Sequence, residues 1–129
     1  MVILDTSVII DHLRGVGLKK ETILLKFARK NPKSTLVFSV ISIQELYEGQ
    51  STLNERKENI LLSVLNPLNV LPYTYEIAKI AGGLARDSKI KADFADFAIA
   101  ATAIVNGCDL LTLNKSHFKG IPDLEILKI

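Results

Sequence analysis

Val2, Ile3 and Leu4 form an unbroken apolar run, and Asp5 follows it directly. A strand without polar alternation suits burial on both faces, and such strands belong to parallel sheets with helices packed on each side. In open parallel sheets, ligands bind outside the carboxyl ends of the strands, where Asp5 falls. A carboxylate delivered there loses solvation unless a helix N-terminus, a basic partner or a metal compensates it. Asp is also a favoured N-cap, so Asp5 reads equally well as the cap of a helix starting at Thr6 or Ser7.

The rest of the chain repeats this alternation. Apolar segments at Leu36–Ser39, Val70–Leu71, Leu110–Thr112 and Leu124–Leu127 read as four further strands. Helical patterns lie between them at Ser7–Leu13, Lys20–Lys30, Ile43–Gly49, Leu53–Leu65, Tyr75–Ser88 and Phe94–Asn106. Gly82-Gly83 weakens the middle of the fifth, and Gly107 is a stop signal after the sixth. Phe94–Asn106 is apolar almost all round, which requires burial on several sides. The expected fold is a three-layer α/β/α sandwich around a central parallel sheet.

The 129 residues form one expected domain, 1–129, without repeats or linkers. No apolar stretch approaches the ~20 residues that cross a bilayer, so no membrane partner is expected. The chain enters a strand without a basic segment and a long apolar one before it, and its single cysteine, Cys108, has no internal partner. Both features point to the cytoplasm. A net charge of +2 permits nucleic-acid binding without arguing for it.

Most acids lie among Lys and Arg on helix faces and read as solvated surface. Glu45 does not: in Ser42-Ile43-Gln44-Glu45-Leu46 it follows a strand, in what reads as the first turn of a helix. Ser42 and Glu45 also have capping-box spacing. Asp96 falls in the first turn of the most apolar helix, with Asp93 in N-cap position. Asn114 follows the strand at Leu110–Thr112. Asp5, Glu45, Asp96 and Asn114 thus come from four segments that a parallel sheet brings to one rim. Carboxylates gathered there raise one another's pKa, and a hard divalent cation such as Mg²⁺ or Mn²⁺ removes that penalty. Such ions assist phosphodiester hydrolysis.

With these motifs, the chain resembles a PIN domain, and specifically the VapC-type toxin ribonucleases of toxin–antitoxin pairs. The resemblance runs end to end. It rests on Val2-Ile3-Leu4-Asp5-Thr6-Ser7, Ser42-Ile43-Gln44-Glu45-Leu46, Asp96-Phe97-Ala98-Ile99-Ala100-Ala101-Thr102-Ala103 and Leu111-Thr112-Leu113-Asn114-Lys115-Ser116-His117-Phe118. It implies a metal-dependent ribonuclease whose acidic quartet falls on Asp5, Glu45, Asp96 and Asn114, the first three holding Mg²⁺ or Mn²⁺. Asn in the fourth place brings a carbonyl oxygen but no charge, which weakens the case for a second metal. Asp93 competes for that place, although it reads first as an N-cap. Thr6 resembles the family's hydroxyl residue beside the first acid, and Thr112 lies near the same rim. The resemblance further implies an RNA substrate, a cognate antitoxin and a homodimer.

The basic residues Lys19, Lys20, Lys26, Arg29, Lys30 and Lys33 read as a solvated face. Arg86, Lys89 and Lys91 are better placed for phosphate. His12 and His117 read as structural or surface residues. Two rival classes stand beside the nuclease. A phosphoacceptor receiver domain would need an acceptor Asp after a central strand, which Val70-Leu71-Pro72-Tyr73 does not offer. A PIN fold kept only for binding RNA or protein would not need all three acids.

Overall fold

The computed structural model describes residues 1–129. β1 (Val2–Leu4) leads into α1 (Thr6–Gly15), and α2 (Ile23–Lys30) precedes β2 (Leu36–Ser39). β2 passes without a loop into α3 (Val40–Glu48), and a 3₁₀ turn at Gln50–Thr52 precedes α4 (Glu55–Leu65). β3 (Asn69–Leu71), α5 (Tyr75–Asp87), α6 (Phe94–Asn106) and β4 (Asp109–Leu111) follow, then a 3₁₀ turn at Lys115–His117. The four strands form one sheet in the order β3-β2-β1-β4, every pair parallel. β1 lies inside it, with Val2 opposite both Leu36 and Asp109. Its apolar run is therefore covered by strands at its edges and helices on its faces.

Strand periodicity divides the core in two. Ile3, Val37 and Leu110 pack with Ile77 and Ala81 of α5 and with the alanine-rich α6. Val2, Leu4, Phe38 and Leu111 turn to the other face, against Val8 and Ile9 of α1, Leu24 of α2, Leu46 of α3 and Leu61 of α4. This is the three-layer α/β/α sandwich expected from the sequence. Leu4, Leu46, Leu61 and Leu110 are fully buried, each contributing about 1.5–3 kcal/mol of transfer free energy. Ala98, Ala100, Ala101 and Ala103 are also buried, together with Phe97 and Ile99 of the same helix. Gly107 ends α6 in the left-handed region (φ 64), with its N–H turned to the Ala103 and Ile104 carbonyls.

Three local expectations change. The segment Leu124–Leu127 is no full strand: it adds one parallel bridge, Leu110 to Ile126, at the β4 edge. Leu110 N–H to Glu125 O (2.8 Å) and Leu127 N–H to Leu110 O (2.9 Å) hold its backbone there, while Leu124, Ile126 and Leu127 pack against the core. The first helix runs through Gly15 instead of stopping before it. α5, by contrast, forms as expected and runs continuously through Gly82 and Gly83. The cap of α3 is Ser39, whose Oγ accepts from Ile41 N–H, and not Ser42. Glu45 consequently sits in the second turn, and the Ser42–Glu45 capping box does not form.

Candidate active site

The junction of β1 and α1 places Asp5 at the carboxyl rim, only 3% exposed. It occupies the N-cap position of α1 but makes no capping hydrogen bond. Its Oδ2 instead accepts from Ser7 Oγ (2.6 Å) and Thr112 Oγ1 (2.8 Å). Those hydroxyls accept in turn from the backbone after β4: Leu113 N–H to Ser7 Oγ (3.1 Å) and Asn114 N–H to Thr112 Oγ1 (2.9 Å). Two hydroxyls from opposite ends of the chain thus fix one carboxylate in one orientation.

Because α3 continues β2 directly, Glu45 is carried one turn above the sheet, towards α1. Thr6, in the first turn of α1, donates its hydroxyl to Glu45 Oε1, and Thr6 Oγ1 lies 2.8 Å from the buried Ser42 Oγ. Burial raises the Glu45 pKa above its ordinary value, and the charges of Asp5, Asp93 and Asp96 add to the effect against the opposing Thr6 hydrogen bond.

Asp96 is 8% exposed, in the first turn of α6. Asp93 is the N-cap and forms a reciprocal capping box with it: Asp96 N–H donates to Asp93 Oδ1 (3.0 Å) and Asp93 N–H to Asp96 Oδ2 (3.2 Å). The same Oδ2 lies 3.2 Å from His117 Nδ1. Burial pushes the Asp96 carboxyl up to about 6, reinforced by the charges of Asp93 and Asp5 and opposed by the Asp93 backbone and His117.

A common pattern links the three acids. Asp5 Oδ2, Glu45 Oε1 and Asp96 Oδ2 are taken by protein donors, while Asp5 Oδ1, Glu45 Oε2 and Asp96 Oδ1 have no protein partner. No buried side-chain oxygen is left unpaired, so these three face solvent. Carboxylates charged, crowded and open on one side make a donor set for a hard cation. No group of three or more His, Cys, Asp or Glu side chains is arranged in this structure to hold a metal ion. What favours a cation here is the chemistry of the three open oxygens alone, which suits a hard ion that keeps much of its water, as Mg²⁺ does.

The structure brings Asp5, Thr6, Glu45, Asp93, Asp96 and Thr112 together at this rim. Asn114 is tied in by its backbone only; its side chain is exposed and makes no hydrogen bond. Ser7 and His117, both in contact with the acids, were not legible as site residues. His117 reaches Asp96 from a distant turn, and Ser7, only two residues from Asp5, stood in the Val2–Ser7 motif without its role being readable there. The basic run Lys19 to Lys33 lies between the end of α1 and the start of β2, at the opposite rim. Arg86 is engaged with neighbouring Asp87 at 2.8 and 2.9 Å.

A parallel sandwich with this acidic rim defines the class, and the family model for the PIN domain matches residues 2–124. The chain belongs to the PIN-domain family, on the VapC side of it. Ribonuclease VapC10 of Mycobacterium tuberculosis is 38% identical over 131 residues, covering 99% of this chain and 91% of that protein. DNA-bound VapBC of Salmonella typhimurium has a TM-score of 0.78 and 27% identity over 98% of both chains. VapBC2 of Rickettsia felis, bound to a promoter DNA fragment, shares the fold with a TM-score of 0.80 at 22% identity, over 98% of both chains. No helix is long and apolar enough to cross a membrane.

Proposed function

We propose that this protein is the toxin of a toxin–antitoxin pair, a divalent-metal-dependent ribonuclease that hydrolyses RNA phosphodiester bonds in the cytoplasm. The observation that carries the reading is the set of three solvent-facing carboxylate oxygens on Asp5, Glu45 and Asp96, each opposite an oxygen held by protein donors. These acids would hold Mg²⁺ or Mn²⁺, which when bound supplies charge neutralisation at the scissile phosphate and Lewis acidity. Ser7 and Thr112 fix Asp5, Thr6 fixes Glu45, and the capping box with Asp93 fixes Asp96. That division keeps the acceptor oxygens aimed outward before substrate arrives, which lowers the reorganisation needed for reaction. Asp93 adds negative charge beside the trio, while Asn114 offers a neutral carbonyl to the same rim.

The relatives named VapC and the VapBC complexes support an antitoxin partner and RNA as substrate. An acidic rim suits an antitoxin arginine, which pairs bidentately with carboxylates. A homodimer belongs to the same reading; Leu53 and Leu62, 66% and 48% exposed, offer part of an apolar surface for it. The test is sequencing of RNA ends after induced expression, beside an Asp5→Asn control. New ends at defined sites in the wild type and their absence in the control support the reading. Identical end profiles reject it.

A further inference from the structure

Beside the acidic rim, a recess of about 360 Å³ opens between α1, α3 and α4, with Glu45 on its wall. Ile10, Leu13, Leu46 and Ile60 contribute its apolar surface, and Arg14 and Lys57 supply two cations. Both basic side chains are exposed, and neither makes an ion pair. Lys57 stands in the first turn of α4 between Glu55 and Glu58, yet pairs with neither; Glu58 is taken by the Tyr47 hydroxyl at 2.7 Å. Two cations that line one concavity and have no carboxylate partner are free to receive an anion there. The anion that belongs beside a phosphodiester-cleaving centre is another phosphate of the same strand.

We infer that Arg14 and Lys57 form a phosphate subsite that seats the backbone of single-stranded RNA next to Glu45. The inference rests on the ribonuclease reading and adds to it the track along which substrate lies. Phosphate contacts of this kind fix register and orientation without reading sequence. They also offset the repulsion that an acidic rim exerts on an approaching polyanion. The basic run between Lys19 and Lys33, although richer in charge, is at the wrong rim for this task, and Arg86 is already paired.

The test is fluorescence anisotropy with a short fluorescein-labelled single-stranded RNA, in EDTA so that binding is read without cleavage, over a range of salt concentrations. Arg14→Gln/Lys57→Gln should lower the salt slope by about 1.4, two contacts at about 0.7 each, and weaken binding on the order of tenfold to thirtyfold at 0.1 M salt. The charge-conserving Arg14→Lys/Lys57→Arg protein should bind close to wild type. It controls for folding, as does an unchanged circular dichroism spectrum of the Gln variant. Glu45→Gln should bind RNA at least as tightly as wild type, since it removes a negative charge from the recess wall. An unchanged affinity and slope in the Gln variant overturns the subsite. So does a variant that keeps RNA binding and loses only the antitoxin, which would make the recess a protein-docking site. The two levels separate cleanly. A wild type that cleaves RNA with Mn²⁺ while the Gln variant binds and cleaves equally removes the subsite and leaves the ribonuclease. Weakened binding in the Gln variant, with no cleavage by the wild type, keeps the subsite and removes the ribonuclease.

Discussion

The two rims of the parallel sheet carry charge in contrasting ways. At the amino rim, Arg29 pairs with Glu21 at 2.6 Å, with side chains 67% and 45% exposed. Water already stabilises both ions there, so the pair is worth about 0–1 kcal/mol. At the carboxyl rim, Asp5 and Asp96 are nearly buried, Glu45 is half-buried, and no Lys or Arg pairs with any of them. Hydroxyls, backbone amides and His117 hold one oxygen of each acid and leave the other open. One rim is charged for solubility. The other keeps like charges together at a cost in stability, which is the mark of a site kept for chemistry.

Neutralising either rim breaks the contrast most sharply. Asp5→Asn and Asp96→Asn should each reduce RNA cleavage by more than about 100-fold, since loss of an outer-shell partner alone costs 10–100-fold. Glu21→Gln and Arg29→Gln should leave cleavage within about twofold and stability within about 1 kcal/mol. A gel assay with labelled RNA, beside thermal melts, measures both; equal losses at the two rims would erase the distinction.

The hydroxyls come next. Ser7→Ala and Thr112→Val should each lower cleavage about tenfold by freeing Asp5 to rotate, with a stability loss of about 1 kcal/mol per hydrogen bond. The informative readout is the Mn²⁺ concentration for half-maximal cleavage. It should rise in both variants, whereas a purely structural role would lower stability and leave that concentration unchanged.

pH supplies a smaller effect with a definite sign. The Asp96 carboxyl is raised to about 6, so the folded protein binds its proton more tightly than the unfolded chain does. Its contribution to stability is therefore fully present below the ordinary aspartate range near pH 4 and is lost as pH rises through about 6. In EDTA, the wild type should gain melting temperature relative to Asp96→Asn as pH falls from 7 towards 4. Saturating Mn²⁺ should flatten the difference. Parallel wild-type and variant curves across that window would show that Asp96 is not strained.

How far these contrasts could be read in advance follows from how local their causes are. The Val2–Leu4 run, Asp5 behind it, Asp93 as N-cap and Gly107 as stop are set by neighbouring residues, and each stands where the pattern put it. The start of α3 is different: β2 enters it with no loop, two serines compete to cap it, and Ser39 wins over Ser42 because the strand's last residue already has extended backbone (φ −79, ψ 145). The final strand shrank to one bridge because Leu124–Leu127 meets β4 only at Leu110. His117, Arg14 and Lys57 carry no local signature at all. What they do depends on partners brought close only by the closed sheet.

The smallest expected change is at the fourth position. Asn114→Asp adds a charge to an exposed side chain tethered only through its backbone to Thr112. It should tighten Mn²⁺ binding by a few-fold, as expected for one added charge in a solvated setting. No change would leave Asp93 as the acid that completes the rim.

The most direct measurement of the central claim is calorimetric titration of the metal-free protein with Mn²⁺, wild type beside Asp5→Asn. If the three open oxygens form a cation site, the wild type binds Mn²⁺, and loss of Asp5 weakens that binding by at least about tenfold with the fold intact. Superimposable isotherms would contradict it: the acids would then be gathered at the rim without holding the metal there.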